Sequence, residues 1–291
     1  MSLYTYRHAI SNERTCYWML HRLRWPKKVT CPRCHGTKYW KMHDAGRPRY
    51  RCKECHFHFS LLTGTEIQGT HLPLTKWVLA AALFSLGISS HALSREIQVS
   101  QRIAWSMLAK FRKAIKSSQI LRKLRGSVEV DETYFGGRAK GKRGRGAGHK
   151  TIVIGFRTRT GTVRALVVET LKTNQMKKLL KQQLAQGARL FTDEYSIYQP
   201  VRSWGFKHRQ IKHSKWFVRG QNHTQGIEGY WGHLKPTLVG RHRSVSPKHL
   251  PGYLEEADLK NNLGLDTDFA DFIFRQMLSN DNDLLNNELF T

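Results

Sequence analysis

The chain is short of acid. Against 49 lysines and arginines stand 21 aspartates and glutamates, a formal net charge of +28 over 291 residues. The shortage is sharper in the body, because nine acids and two bases follow from Glu255 onward and residues 1–254 therefore carry 47 bases, 12 acids and a net +35. Such an excess argues against a small acidic molecule as the main partner and for nucleic acid, whose phosphates release counterions when neutralised. Long apolar runs are missing too. The longest, Trp77 to Ile88, falls short of the roughly 20 residues that span a bilayer, and no long basic amphipathic helix supports a membrane partner. The opening MSLYTYRHAISNER has neither the apolar stretch nor the cleavage site of a signal peptide, so a cytoplasmic, nucleoid-associated protein is expected. Hydrophobic residues at 40%, with 13 Phe, 10 Tyr and 8 Trp, suffice for two domains or for one with a sizeable appendage.

Cysteine is scarce as well, and four of the five form one pattern: Cys31-x2-Cys34, then seventeen residues, then Cys52-x2-Cys55. Paired knuckles at this spacing predict a tetrahedral zinc site in a compartment that keeps thiols reduced. Tyr39, Trp40, Arg49, Tyr50 and Arg51 between them suit a small ribbon of strands. A disulfide pair is one alternative, and zinc shared with His35, His56 or His58 is another. The ribbon needs its metal, since so short a segment buries too little apolar surface alone. Cys16 sits among Met19, Leu20 and Leu23 on a helix, with Ser11 as cap, and reads as core.

Three of the few acids occupy places suited to metal-dependent chemistry: Asp131 in VEVDETYF, Asp193 in ARLFTDEY and Glu228 in IEGYWGHLK. Side chains alternate faces along a strand, which sets Val128 and Val130 on one face and Glu129 and Asp131 on the other, with Glu132 back beside the valines. In the second string Arg189, Phe191 and Asp193 share a face. Each aspartate taken alone could be a strand-end turn former. In the third string a rotation of about 100° per residue gathers Ile227, Tyr230, Trp231 and Leu234 on a buried arc. The same rotation brings Glu228 and Lys235 within roughly 20° of each other, with Gly232 and Gln225 on the same polar stripe. Pro236 should kink or end this helix after about three turns. Three carboxylates on separate elements of a basic chain form the constellation of a metal-dependent enzyme that cuts or joins nucleic acid strands.

The remaining elements follow in order. After the ribbon, LPLTKWVLAAALFSLGI is helical, with Gly87 as its stop. LSREI, the turn VSQ and RIAWSMLAKFRKAI then read as a helix-turn-helix. Its second helix would pack through Ile103, Met107, Leu108, Phe111 and Ile115, leaving Arg102, Lys110, Arg112, Lys113 and Lys116 around that face and sending Gln101 and Arg102 into a major groove. A plain helical hairpin is the alternative. From Val128 the pattern becomes three strands, a helix, a strand, a short helix near Tyr195–Tyr198, a further strand and the Glu228 helix. That order is α/β, an RNase H-like mixed sheet flanked by helices, in which the first and fourth strands lie side by side and bring Asp131 to Asp193. The implied domains are 1–70 (helix and zinc ribbon), 71–125 (helical, DNA-binding), 126–262 (catalytic) and 263–291 (acidic tail). Between the first two strands, six glycines and six bases lie among Gly136 to Lys150. Arg138, Lys140, Lys142, Arg143 and Arg145 there would hold a DNA backbone electrostatically.

Taken together, RWPKKVTCPRC, YRCKECHFHFSLLTGT, LPLTKW, DETYFGG, TDEYSIY, HTQGIEGYWGHLKP and VSPKHLPGYLEE make the chain resemble the bacterial insertion-sequence transposases of the DDE superfamily. Within that superfamily it resembles the branch with an N-terminal zinc ribbon and an RNase H-like catalytic domain, over roughly residues 24–260. The resemblance implies a DNA transposase in which Asp131, Asp193 and Glu228 hold Mg2+ (or Mn2+) and Lys235 is their basic partner. It further implies Zn2+ on Cys31, Cys34, Cys52 and Cys55, terminal inverted repeats and target DNA as partners, and a homo-oligomer assembled on DNA. Gln225 departs from the pattern, since this branch usually has Asn there. The alternative function is a catalytically silent zinc-ribbon DNA-binding regulator or domesticated remnant.

Overall fold

A computed structural model describes residues 12–42, 47–118, 123–136, 150–211, 223–263 and 268–279. The chain divides into two compact units, Met1–Gln119 with Leu265–Thr291, and Ile120–Gly264. No described helix is long and apolar enough to cross a membrane.

The first unit starts with helix α1 (Glu13–Arg24), whose N-cap is Asn12; its side chain accepts from Thr15 N at 2.8 Å. The expected cap Ser11 lies outside the described residues. Cys16, Tyr17 and Leu20 form the buried face. Strands β1 (Tyr39–Met42), β2 (Arg49–Cys52) and β3 (His58–Ser60) make an antiparallel sheet in that order. Tyr50 and Phe59 pair across β2 and β3 and pack with Trp25. Arg24 at the end of α1 donates to the carbonyls of Ser60, Leu61 and Thr63. The helix is thereby tied to the ribbon by both an aromatic cluster and satisfied backbone carbonyls.

Helix α2 (Leu74–Ser85) is buried around most of its circumference, as its apolar sequence requires. Helices α3 (Ser90–Glu96) and α4 (Gln101–Ser118) flank a turn in which Gln98 has φ 51°. Met107, Leu108, Phe111 and Ile115 are buried as expected, but Ile103 is 40% exposed and Ala104 takes its place in the core. Arg112, expected around the packing face, is buried with its guanidinium over the Phe84 ring at 5.6 Å.

The segment expected as an acidic tail contains helix α8 (Phe269–Leu278), which belongs to this first unit and packs on α1, α2 and α4. Phe272, Ile273, Phe274, Met277 and Leu278 are buried. Asp268 caps it by accepting from Asp271 N at 3.1 Å. Acidity averaged over the segment hides an apolar stripe of helical period, and the burial of that stripe outweighs the charge around it.

The second unit is built on one five-stranded sheet of order β6-β5-β4-β7-β8. Strands β4 (Ser127–Phe135), β5 (Thr151–Thr158) and β6 (Val163–Val168) form an antiparallel meander, while β7 (Arg189–Thr192) and β8 (Lys207–Gln210) run parallel to β4. This is the mixed α/β sheet expected from the sequence, with its first and fourth strands adjacent. One face is covered by α5 (Thr173–Gln183) and a 3-10 segment (Ser196–Trp204), around Val128, Val130, Phe156, Leu180, Leu190 and Tyr198. The other is covered by α6 (Gln225–His242) and α7 (Leu250–Leu263), around Val153, Val163, Ile227, Trp231, Leu234 and Leu254.

Two local features fix that second layer. Gly155 on β5 lies under α6, and a Cβ there would run into the Trp231 indole and approach Ile227 Cδ1 to 2.7 Å. Edge strand β6 is covered by side chains of α7. Asn262 takes Val163 N at 2.7 Å and donates to Val163 O at 2.8 Å, while Asp258 takes Ala165 N at 2.6 Å. An edge that could pair with another chain is thereby closed.

Pro236 neither ends nor shortens α6, which continues to His242. The missing donor leaves the Gly232 carbonyl without its usual partner, but Gly232 and Pro236 are both exposed, so water can replace that bond.

Candidate functional site: a carboxylate cluster and a four-thiol centre

Asp131 lies on β4 opposite Gly155 of β5. Parallel pairing places Glu129 opposite Phe191, and continuing that register by two residues sets Asp131 level with Asp193, just past β7. Helix α6 crosses the same face and brings Trp231, whose Nε1 donates to Asp131 Oδ2 at 3.1 Å. Burial pushes the Asp131 carboxyl up to about 7, and the neighbouring Glu132, Asp193 and Glu228 add to the rise. Sequence reasoning placed the three acids on three elements; the structure brings Asp193 and Glu228 into electrostatic range of Asp131.

Each acid is also oriented locally. Asp193 Oδ1 accepts from Tyr195 N at 2.9 Å, and Glu228 Oε1 accepts from Thr224 Oγ1 at 2.6 Å. Lys235 is partly buried and its ammonium lies 5.8 Å from the Phe135 ring centroid. Burial lowers its pKa, while the Asp131 charge works in the opposite direction. Glu132 turns to the opposite face of β4, where the buried Tyr198 hydroxyl donates to it at 3.1 Å. It therefore contributes charge to Asp131 from behind the sheet.

The carboxylate arrangement fits a divalent cation. A carboxyl raised by burial and by three neighbouring acids marks a concentration of negative charge that a bound cation would relieve. Among the described residues the four cysteines form the group of candidate ligands whose donor atoms all lie within 4.8 Å of one another, and the three acids do not form such a group.

Cys31, Cys34, Cys52 and Cys55 come together as the spacing predicts. The sulfurs of Cys31 and Cys55 are 3.6 Å apart, and those of Cys34 and Cys52 are 3.5 Å apart. Tetrahedral zinc with bonds of about 2.3 Å needs sulfurs about 3.8 Å apart, so the donor set fits zinc closely. The histidines do not enter the cluster. His35 and His56 each follow a second knuckle cysteine and have φ of 59° and 57°. The Cys52 thiol is pulled down to about 7, chiefly by the Cys55 backbone N–H, while burial pushes Cys31 up and the neighbouring thiols push Cys34 up, so the four thiols share their protons unevenly until a metal displaces them.

Other expected site residues are distributed differently. Arg102 is exposed at the start of α4. Gln101 beside it donates from Nε2 to Ser90 Oγ at 3.0 Å, closing the turn between α3 and α4. Arg138, Lys140, Lys142, Arg143 and Arg145 lie outside the described residues. Sequence reasoning also missed three participants: Arg159 just past β5, His223 and Thr224 before α6. Glu129 had been placed on the Asp131 face without a partner. It is buried, accepts from Arg159 Nη1 and from Ile227 N at 2.8 Å, and so supplies the N-terminal cap of α6 from a neighbouring strand.

The chain thus carries a four-thiol ribbon in one unit and, in the other, a mixed five-stranded sheet with acids on and beside it. Residues 123–262 match the family model for the ISXO2-like transposase domain, and residues 11–58 match that for the transposase zinc-ribbon domain. The chain belongs to this family of zinc-ribbon insertion-sequence transposases. It is 27% identical over 273 residues to an uncharacterized protein in transposable element ISH50 of Halobacterium salinarum, covering 87% of this chain and 92% of that one. Crystal structures of the Mos1 strand transfer complex and of a pre-cleavage Mos1 transpososome each overlap 72% of this chain. They cover 76% and 75% of those chains at TM-scores of 0.32 and 0.31, with 15% and 11% identity, a likeness too loose to carry weight.

Proposed function

We propose that this protein is a DNA transposase that cleaves the ends of an insertion sequence and joins them to target DNA. Asp131, Asp193 and Glu228 hold Mg2+ or Mn2+. Bound there, the cations supply charge neutralisation at the scissile phosphate and favour in-line attack, first by water and then by a DNA 3′-hydroxyl. The observation that carries the reading is the convergence of three acids from β4, β7 and α6 within a chain that is otherwise strongly basic.

The chain's own residues do the rest. Trp231 holds one oxygen of Asp131, Thr224 holds one of Glu228, and the turn at Tyr195 holds Asp193. Lys235, on the same helix as Glu228, places a fixed cation where negative charge develops. Zn2+ on the four cysteines stabilises the ribbon, which, with the helices bearing Arg102, recognises the terminal inverted repeats. Arg138, Lys140, Lys142, Arg143 and Arg145 hold the phosphate backbone. Two ends must be joined together, so the protein works as a homo-oligomer on DNA.

The test is a strand-transfer assay with purified protein, Mg2+, a donor DNA carrying the element's ends and a target plasmid. Joined products are expected. Cleavage without joining would make the protein a nuclease of the same fold, and binding without either would make it the silent regulator.

A further inference from the structure

We propose that Glu129 and Arg159 form a positioning clamp that holds the three elements bearing Asp131, Asp193 and Glu228 in register. The proposal rests on the metal-site reading of those acids. Neither clamp residue is a ligand in it.

Arg159 touches every part of the assembly. Its Nη1 donates to Glu129 Oε1 on β4, its guanidinium lies over the Phe191 ring of β7 at 4.7 Å, and its Nη2 donates to the His223 carbonyl before α6 at 2.9 Å. Its own backbone N–H is bonded to Ser127 O at the start of β4 at 3.1 Å. Glu129 spends its second oxygen on Ile227 N at 2.8 Å, the third amide of α6. Thr224, the residue that would ordinarily cap this helix, makes no such bond and instead donates to Glu228.

The anchors stand close to the acids in sequence. Glu129 precedes Asp131 by two residues on one face of β4, Phe191 on β7 precedes Asp193, just past the strand, by two, and Ile227 immediately precedes Glu228. Two residues along a strand return to the same face, so a shift at either anchor moves the acid with it. Gly226 makes the arrangement possible, because a Cβ there would approach Glu129 Oε2 to 2.8 Å and Arg157 Nε to 3.1 Å. Glu129 is shielded, with 3% of its side chain exposed, while Arg159 reaches it from an exposed turn with 28% of its side chain exposed. A buried carboxylate left without its partner is expensive, so the pair holds one geometry.

Glu129→Ala and Arg159→Lys separate positioning from simple stability. The lysine keeps a positive charge but not the planar fork that reaches carboxylate, ring and carbonyl together. Mn2+ binding should be followed by titration calorimetry, with cleavage rate at saturating Mn2+, DNA affinity and the thermal transition measured alongside. Both variants should bind Mn2+ about tenfold or more weakly, as loss of an outer support does at other metal sites, with a lower cleavage rate and unchanged DNA affinity. A folded variant with wild-type Mn2+ affinity overturns the clamp, whatever its thermal transition. Should Glu129→Ala not fold, Arg159→Lys decides by the same measure. Wild-type protein whose Mn2+ titration equals that of Asp131→Asn overturns the carboxylate-site reading itself, and the clamp with it.

Discussion

Asp131→Asn should make the metal-free protein more stable at pH 8 while removing its chemistry. The folded state raises this carboxyl from its ordinary 3.8 to about 7, first through burial and then through Glu132, Asp193 and Glu228. At 1.36 kcal/mol per pH unit, ionising it in the folded protein costs about 4 kcal/mol more than in the unfolded chain. Asp131 is not fully buried and solvent screening trims that cost, so the gain from the substitution is about 2–4 kcal/mol, or roughly 5–10 °C in the thermal transition. The sign follows from linkage. The folded state binds the proton more tightly than the unfolded one, so wild-type stability falls as pH rises from about 4 to about 7 and levels off above. The advantage of the variant should therefore be full at pH 8 and about half as large at pH 5.5. Differential scanning fluorimetry of zinc-loaded protein without Mg2+, at both pH values, measures it. Added Mn2+ should then raise the wild-type transition and leave that of the variant where it was. A variant no more stable than wild type at pH 8 would refute the concentration of charge on which the metal site rests.

Other expectations follow from single contacts. Gly155→Ala should cost about 1–3 kcal/mol by overpacking against Trp231 and Ile227, read as a lower denaturant midpoint; an unchanged midpoint would mean α6 does not cross where described. Elemental analysis should find one zinc per chain, and Cys31→Ser should remove it and unfold the ribbon, whereas a folded ribbon without zinc would contradict the four-thiol centre. Lys235→Ala should lower the cleavage rate by about tenfold or more while leaving DNA affinity nearly intact, since a surface lysine would affect neither strongly. Equal losses in both would make it a backbone contact instead.

What could be read from residue order was whatever has a short period. The cysteine spacing led to the four-thiol cluster, the alternation from Val128 to Asp131 separated core from site, and the helical rotation from Ile227 to Leu234 found the buried arc of α6. What escaped depends on partners distant in sequence. Glu129 lies on the readable face, but Arg159 sits in a turn thirty residues on, and nothing local marks it as the partner. Ile103 is apolar at a position the helix turns outward, while small Ala104 faces inward. Helix α8 was concealed by the acids around Phe272–Phe274, and its partners α1, α2 and α4 lie far upstream. Pro236 misled for a different reason: an exposed helix face can lose one hydrogen bond to water and continue.

The central claim, that Asp131, Asp193 and Glu228 together carry strand cleavage, is tested most directly by Asp131→Asn, Asp193→Asn and Glu228→Gln on DNA bearing the element's ends. Cleavage with Mg2+ and DNA affinity should be measured on the same preparations. Each variant is expected to bind DNA as the wild type does and to cut none of it. One variant that cleaves at the wild-type rate would contradict the assignment.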